Sequence, residues 1–368
     1  MKIMVGLSGG VDSSVAALLL QRQGHDVCAM FMHNWNDPGG KGSACQADKD
    51  RKDATRIAGQ LNIPIHIRDF SQNYWDDVFR HFLDEYAAGR TPNPDVLCNR
   101  EIKFKTFLQA AIDLGAGCIA TGHYARIRKH QGHYQLLRGC DPDKDQSYFL
   151  HTLGQQQLAQ ACFPIGDLRK PQVRELARQA GFATYDKKDS TGVCFIGERD
   201  FRKFLAHYLP AQPGFILDTQ GHPLGEHPGA LYFTLGQRQG LGLGGVQGAH
   251  QAPWYVVGKN VTHNTLTVAQ GDAGHWLDAL RLLTSQPSWV AEKPPGKSFL
   301  CTAKTRYRQP DQSCQVQVLD DHCEVIFEQA QRAPTPGQAV VFYAEELCLG
   351  GATIEATDAA FGGLEAST

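Results

Sequence analysis

The chain has 368 residues, of which 42% are hydrophobic, so we expect two or three globular domains rather than a disordered chain. Its formal net charge of −2 neither supports nor excludes a nucleic-acid ligand, because phosphate binding needs only a local basic patch. No apolar run predicts a membrane helix, and the first residues are not expected to form a secretory leader.

The first half of the chain alternates short apolar runs with helical patterns. Such alternation predicts a parallel sheet with helices on both faces, in which ligands bind beyond the carboxyl ends of the strands. We assign residues 1–203 to this α/β domain. The predicted elements are strands at 2–7, 27–32, 64–70 and 118–121 and helices at 11–23, 44–61 and 102–114.

The pattern then changes to shorter strands separated by turns. Residues 204–275 are rich in glycine and are predicted to form a small mixed or mostly β central domain. Residues 276–368 show apolar alternation over roughly six short strands, which favours a small C-terminal β-barrel. The tail from Asp358 is small and polar, and we expect it to fray. The predicted fold class is therefore α/β, with two β-rich domains after a parallel-sheet domain.

A glycine-rich loop joins the first strand to the first helix, with Ser8, Gly9, Gly10, Asp12 and Ser13 in it. The glycines allow a tight turn, and the helix start offers unpaired N–H groups to an anion. The serines add hydroxyl donors, and the carboxylate could hold Mg²⁺ against phosphates. The loop lacks a Walker lysine and a Gly-x-Gly-x-x-Gly pattern, which excludes a P-loop NTPase and an NAD-binding fold. A serine-capped turn with no ligand is the alternative.

This loop resembles the PP-loop of ATP pyrophosphatases, which split ATP into AMP and pyrophosphate. Two further positions could complete a nucleotide site. Met32 ends the second strand, where its backbone could meet an adenine edge, and Gly122 follows a later strand, where it would admit a sugar or phosphate. A buried strand end and a tight turn are the alternatives for these two positions.

Two of the 11 cysteines differ from the others in their surroundings. The odd number and the lack of a Cys-x-x-Cys pair argue against a disulfide framework or a zinc ribbon, so we expect a reducing cytoplasm. Most of the thiols are interpreted as small buried hydrophobes. Cys98 is predicted in a polar loop, residues 91–100, where Arg100 and a following helix start would lower its pKa. Cys194 is predicted in a glycine-punctuated loop, residues 190–197.

An enzyme that activates a carbonyl with ATP has a chemical use for two thiols. Adenylation turns the carbonyl oxygen into a leaving group, and a persulfide on one cysteine can then deliver sulfur. A second thiolate can release that sulfur by forming a disulfide. In the polar loop, Asn93 and Asp95 could read a base edge or shuttle a proton.

Several segments together resemble the bacterial tRNA-specific 2-thiouridylase family, and the resemblance covers nearly the whole chain. They are residues 8–13, 93–99, 120–124, 144–147, 190–197, 234–238 and 306–307. The resemblance implies ATP-dependent 2-thiolation of the wobble uridine, U34, in tRNAs for lysine, glutamate and glutamine, with release of AMP and pyrophosphate. It also implies Mg²⁺, and sulfur supplied by a cysteine desulfurase, directly or through a relay protein.

The resemblance further assigns roles to single residues. Cys98 would be the nucleophile, Cys194 the persulfide carrier that ends in a transient disulfide with Cys98, and Asp95 the acid–base residue. ATP would contact Gly6, Leu7, Ser8, Gly9, Gly10, Val11, Asp12, Ser13, Met32 and Gly122. The target base would contact Asn93, Pro94 and Asp95, and the tRNA would contact Lys144, Asp145, Gln146, Arg306 and Tyr307.

Three other functions remain open from the residues alone. A small-molecule ligase of the PP-loop class would need neither the thiol pair nor the barrel. A 4-thiouridine synthetase is nearer in chemistry, but we expect no appended domain before the PP-loop. A non-catalytic nucleotide-binding or RNA-binding module would make Asp12, Cys98 and Cys194 dispensable. The basic stretch 304–308 suits RNA contact or, equally, a solvated strand face.

Overall fold

The computed structural model describes residues 1–36, 43–188, 200–243 and 252–364. The strands in chain order are β1 Lys2–Gly6, β2 Asp26–His33, β3 Ile65–Asp69, β4 Cys118–Ala120, β5 Ala125–His130, β6 His133–Arg138, β7 Ala161–Cys162, β8 Gly214–Leu217, β9 Pro223–His227, β10 Trp254–Asn260, β11 Thr265–Gln270, β12 Asp278–Thr284, β13 Ser288–Trp289, β14 Ser298–Lys304, β15 Gln312–Val318, β16 Cys323–Arg332, β17 Ala339–Ala344 and β18 Leu347–Thr357.

The helices lie mostly in the first half of the chain. Two of them, α3 and α4, are continuous helices with a π-helical middle segment. The helices are α1 Val11–Arg22, α2 Ser43–Leu61, α3 (Ser71–Tyr74, Trp75–Phe79 and Arg80–Ala87), α4 (Pro94–Leu97, Cys98–Phe107 and Leu108–Asp113), α5 Ser147–Leu150, α6 Gln155–Ala159, α7 Lys170–Gln179, α8 Phe201–Tyr208, a 3₁₀ turn at Ala230–Tyr232 and α9 Gly274–Leu277.

The first domain is built on a five-stranded parallel sheet in the order β3-β2-β1-β4-β7. Strands β1 and β2 are almost continuously apolar and buried, as expected of strands covered on both faces. One face packs on α1, α2 and α7, and the other packs on α3 and α4. The predicted parallel-sheet domain is therefore confirmed.

The last third of the chain forms the predicted barrel. Six antiparallel strands follow the order β12-β16-β15-β14-β17-β18, and β18 pairs back with β12 to close the ring. Each of these six strands therefore pairs with a neighbour on both of its edges. A hairpin of the first domain, β5–β6, extends the sheet through Leu136 and Leu137, which pair with the start of β18. The sequence did not predict this junction between domains.

Between these two domains, four strands form a mixed sheet in the order β10-β11-β8-β9. The pair β8–β11 is parallel, and the other two pairs are antiparallel. This agrees with the predicted small mixed or β central domain. The boundaries near residues 203 and 275 stay predictions. Among the described residues, no helix combines the length and apolarity that crossing a membrane requires.

Two sequence predictions are wrong. The helix expected at 102–114 begins at Pro94, because Asn93 caps it and proline fits the first helical position. Cys98 therefore lies inside a helix and not in a loop. The tail does not fray at Asp358: Phe361 stacks on Trp276 with ring centroids 5.8 Å apart. This contact buries apolar surface, which gives residues 358–364 a packing partner.

Candidate active site

The phosphate loop lies between the end of β1 and the start of α1. Gly9 has φ +76°, a left-handed conformation that favours glycine, and a side chain there would meet the backbone of Asp50. The hydroxyl oxygens of Ser8 and Ser13 lie 3.1 Å apart. Gly10 caps α1 without a side-chain hydrogen bond, so the first turn of this 12-residue helix keeps its N–H groups for another acceptor. A phosphate group fits this arrangement.

Met32 and Gly122 both lie against this loop. A Cβ atom on Gly6 would lie 3.2 Å from Cε of Met32, so the end of β2 touches the end of β1. A Cβ atom on Gly122 would lie 2.6 Å from the backbone nitrogen of Ser13, which leaves no room for a side chain there. The structure thus brings together three segments that are separated in sequence. Their common position is the carboxyl edge of the parallel sheet.

Asp12 is paired with a lysine that sequence reasoning missed. Both carboxylate oxygens of Asp12 accept hydrogen bonds from Nζ of Lys170 at 2.8 Å, and Tyr124 donates its hydroxyl to Oδ1 at 2.7 Å. Lys170 is the first residue of α7 and is 7% exposed. It lies 158 residues from Asp12, so no local motif could have revealed the pair. The loop that lacks a Walker lysine therefore has a cation beside it.

This pairing bears on the predicted Mg²⁺ ligand. A carboxylate that already accepts from an ammonium group at both oxygens is not arranged as a metal ligand. Among the described residues, no group of three or more His, Cys, Asp and Glu side chains could hold a metal ion. The residues present fit a nucleotide phosphate, and they do not fit Mg²⁺ bound directly to Asp12.

Asp95 and Cys98 lie in the first two turns of helix α4, and Asn93 is the N-cap of this helix. Oδ1 of Asn93 accepts from the backbone N–H of Asp95 at 3.2 Å, which fixes the helix start. Burial raises the pKa of Asp95, and the charge of Lys103 partly offsets that rise. Cys98 is 2% exposed and belongs to the same hydrophobic core cluster as Phe104. A carboxyl group with a raised pKa suits proton transfer near neutral pH.

Lys103 connects this helix to the nucleotide edge of the sheet. Its Nζ lies 3.4 Å from Nε2 of His123, the residue that follows Gly122. Nδ1 of His123 lies 2.7 Å from the hydroxyl of Thr121. Burial, together with the charge on Lys103, lowers the pKa of His123 well below its ordinary value, so its ring is neutral. Sequence reasoning missed this lysine because no local pattern shows that it faces His123, 20 residues further along the chain.

A cleft of about 630 Å³ opens next to Asn93 and is lined by all three domains. Thr91 lines the cleft and contacts the other two domains. The hydroxyl of Thr91 lies 3.2 Å from that of Thr234, and the carbonyl of Thr91 accepts a hydrogen bond from the side chain of Gln338 at 2.6 Å. Residues from the first domain, the central domain and the barrel thus meet at one short segment. The lining side chains include Thr91, Asn93, Tyr148, Thr234, Gln237, Arg306, Tyr307 and Gln338.

The barrel residues predicted to contact tRNA lie in this cleft. The ring of Tyr307 lies 4.5 Å from that of Phe149, whose carbonyl accepts from the side chain of Asn99 at 3.1 Å. Arg306 donates to the carbonyl of Ala333 at 2.9 Å. Tyr307 therefore packs on Phe149, and Phe149 in turn holds Asn99, the neighbour of Cys98 in the chain. Residues 305–309 form a turn beyond β14, and not the solvated strand face that was the alternative.

The other segment predicted to contact tRNA, residues 144–146, is turned partly inward. The buried carboxylate of Asp145 accepts from the backbone N–H groups of Gly139 and Ser147 at 3.0 and 3.1 Å. Gln146 accepts from the N–H of Tyr124 at 3.0 Å. The segment therefore supports the nucleotide side of the site, whereas its contact with tRNA stays a prediction. Cys194 and its loop, residues 190–197, lie outside the described residues.

Comparisons with known proteins agree with this three-domain arrangement. Residues 1–198 match the tRNA methyl transferase HUP domain, residues 202–270 the tRNA methyl transferase PRC-barrel domain, and residues 280–354 the aminomethyltransferase beta-barrel domain. A solved 4-thiouridine synthetase–RNA complex with bound ATP is 15% identical, with 57% of this chain and 50% of that chain covered and a TM-score of 0.34. At that score the likeness has no bearing on function.

Two full-length relatives are much more similar. The tRNA-specific 2-thiouridylase MnmA of Stenotrophomonas maltophilia (strain K279a) is 59% identical over 360 residues, which cover 97% of this chain and 94% of the relative. The protein of the same name from Xanthomonas axonopodis pv. citri (strain 306) is 60% identical over 359 residues, with the same two coverages.

Proposed function

Because the chain belongs to the tRNA-specific 2-thiouridylase family, we propose that it uses ATP to replace the C2 oxygen of a tRNA uridine with sulfur. The proposed target is the wobble uridine, U34, of the tRNAs for lysine, glutamate and glutamine. The observation that carries this proposal is a series of contacts and charge interactions that runs from the phosphate loop to the three-domain cleft. The phosphate loop offers N–H and hydroxyl donors that suit the phosphates of ATP, and the cleft offers an arginine and aromatic rings that suit tRNA.

The series begins at Ser13, against which Gly122 packs, and continues through His123 to Lys103. The charge on Lys103 acts on Asp95, which follows the cleft residue Asn93 by two positions on the same helix. A nucleotide held by the loop and a base held in the cleft would thus meet at Asp95 and Lys103. A ligase for a small metabolite would have no use for a cleft shared by three domains.

We propose that the first step is adenylation of the uridine. Its O2 atom forms a bond to the α-phosphorus of ATP, and the bond from that phosphorus to the bridging oxygen of the β-phosphate breaks. Pyrophosphate leaves with the bond's electron pair, and Asp95 takes the N3 proton. The raised pKa of Asp95 supports this role, since a buried carboxylate is a stronger base than an exposed one. Mg²⁺ would arrive with the phosphates and not on Asp12.

The second step would transfer sulfur. The terminal sulfur of a persulfide on Cys194 bonds to C2, and the C2–O bond breaks to release AMP. The thiolate of Cys98 then attacks the inner sulfur, and the bond between the inner and the terminal sulfur breaks, with its electron pair staying on the sulfur attached to C2. A disulfide between Cys98 and Cys194 thus forms, and the terminal sulfur remains on the base. A thiol reductant resets the pair. The burial of Cys98 supports a guarded role, because an exposed thiol would be open to unwanted oxidation.

Partners and location follow from this chemistry. The persulfide would be supplied by a cysteine desulfurase or a sulfur-relay protein. Disulfide exchange between two thiols suits a reducing compartment such as the cytoplasm, because the pair must be returned to the thiol form after each turnover.

The test is a thiolation assay on unmodified tRNA for glutamate with ATP, Mg²⁺ and a persulfide donor, followed by mass analysis of the nucleosides. The wild-type enzyme should add a thio-for-oxo mass at U34, and Cys98→Ser and Cys194→Ser should abolish it. Cys140→Ser, which alters an exposed thiol, should leave the rate unchanged. Restored activity of Cys194→Ser with free sulfide would identify that residue as the carrier. No mass gain with folded, ATP-bound wild-type protein would refute the proposal in favour of a small-molecule ligase.

A further inference from the structure

Lys103 differs from the other lysines around the nucleotide edge in what it contacts. Lys170 is paired with Asp12, and Lys187 lies 2.8 Å from both Asp50 and Asp53. Lys103, by contrast, has no carboxylate of a described residue within 4 Å of its Nζ. It is half-buried, and a partly buried cation that no carboxylate contacts directly can take an anion as its partner.

The neutral His123 fixes the direction of this lysine. An ammonium group only donates, so Nε2 of His123 must accept, which places the ring proton on Nδ1 facing Thr121. Phe104 and Phe163 pack against the imidazole, with ring centroids 6.0 and 5.8 Å away. The histidine is thus a packed, uncharged acceptor for the ammonium group, and it contributes no negative charge to it.

The place of Lys103 indicates which anion it meets. On one side, His123 follows Gly122, which packs on the phosphate loop at Asp12 and Ser13. On the other side, the charge of Lys103 reaches Asp95, close to the base-binding end of the cleft. In adenylation of a base, one group must lie between the phosphate loop and the base: the α-phosphoryl group.

We propose that Lys103 binds the α-phosphoryl group of ATP and stays on it through both steps; this inference rests on the proposed use of ATP. As O2 bonds to the α-phosphorus and pyrophosphate leaves, the ammonium group stabilises negative charge on the non-bridging oxygens. When sulfur bonds to C2 and the C2–O bond breaks, the same contact stabilises the departing AMP. One lysine thereby serves as a phosphate clamp and as support for the leaving group.

The test compares the affinities of the full-length protein for AMP and for adenosine, which differ only in that phosphate. Lys103→Gln should weaken AMP binding by about 10- to 100-fold, the loss expected for one charge-assisted hydrogen bond, and leave adenosine binding unchanged. Lys103→Arg should recover most of the AMP affinity. Lys105→Gln is the matched control, because Lys105 lies on the same helix, is exposed, and pairs with Glu101.

Three results would overturn the inference. Equal loss of AMP and adenosine binding in Lys103→Gln would mean that the lysine only supports the fold. Unchanged AMP binding in Lys103→Gln, with wild-type protein that binds AMP, would refute the phosphate contact and leave the proposed function intact. A wild-type protein that binds neither AMP nor ATP would refute the proposed function, and this inference with it.

Discussion

The nucleotide end and the cleft end of the site are built in different ways. The phosphate loop, Met32 and Gly122 all belong to one domain and meet at the edge of one sheet. The cleft is lined by three domains, which meet at Thr91. A change at the nucleotide end should therefore alter ATP chemistry and leave domain packing intact. A change at the cleft end should alter tRNA use, or the packing of the domains on which the cleft depends.

The largest effect is expected from the pair Lys170–Asp12. Lys170→Met would leave the carboxylate of Asp12 without its ammonium partner. Loss of one member of a buried pair costs about 3–5 kcal/mol, and the lower end applies here because Asp12 is only half-buried. We expect the rate of ATP-dependent thiolation to fall by about 10²- to 10³-fold, with little change in tRNA binding. The measurement is thiouridine formation at saturating tRNA. Lys49→Met, which alters an exposed lysine on α2, is the control.

A near-normal rate in Lys170→Met would contradict this comparison, since the nucleotide end would then not depend on the long-range pair Lys170–Asp12. An equal loss of tRNA affinity in Lys170→Met would also contradict the comparison, because it would mean that the nucleotide end and the cleft end are coupled.

The next largest effect is expected at Gly122. A methyl group there would lie 2.6 Å from the backbone nitrogen of Ser13, so the phosphate loop must shift. Overpacking of this kind costs about 1–3 kcal/mol. We expect Gly122→Ala to raise KM for ATP by roughly tenfold and to leave KM for tRNA unchanged. Gly59→Ala is the control: it adds the same methyl group to α2 where nothing lies within 4 Å. If both alanine variants behaved alike, close packing at Gly122 would not be the cause.

Much of the nucleotide end could be predicted from sequence because its signals are local. Gly9 is required by a left-handed turn, and the ends of parallel strands must meet at one edge. The start of α4 also has a local signal, Asn93 followed by proline, but the helix was wrongly expected to begin at residue 102. The partners Lys170 and Lys103 were not readable, because which helix face meets the loop depends on packing of the whole domain.

The cleft end was predicted less well for the same reason. Arg306 and Tyr307 were identified through a family resemblance, but nothing local indicates that Tyr307 packs on Phe149. Nor does any pattern within the strands predict that the hairpin β5–β6 would extend the barrel sheet. Contacts between domains depend on the shapes of folded surfaces, and a single sequence does not display those shapes.

A smaller effect is expected when the aromatic surface of the cleft is removed. Tyr307→Ala deletes a cleft-lining ring that lies 4.5 Å from that of Phe149. Stacking of one base on one aromatic side chain contributes about 1–3 kcal/mol, so we expect KM for tRNA to rise by about tenfold. KM for ATP should not change, and Tyr307→Phe should retain wild-type values. A rise in KM for ATP would show that the cleft and the nucleotide end are not separable.

The smallest effect is expected at the seam between the first domain and the barrel, where His151 packs on Gly351 of β18. Burial lowers the pKa of His151 to about 4, whereas an unfolded histidine titrates near 6.5. As pH falls below about 6.5 the unfolded chain takes up a proton that the folded chain refuses, so stability present above that pH is lost. From pH 7 to 6 this group should remove about 0.7 kcal/mol from the free energy of unfolding. Denaturant titrations at both pH values should give a shallower pH dependence of the free energy of unfolding for His151→Gln, and the exposed His133→Gln should match the wild type.

An unchanged pH dependence in His151→Gln would mean that the seam opens enough to admit the proton. The cleft end would then be less firmly built than the nucleotide end.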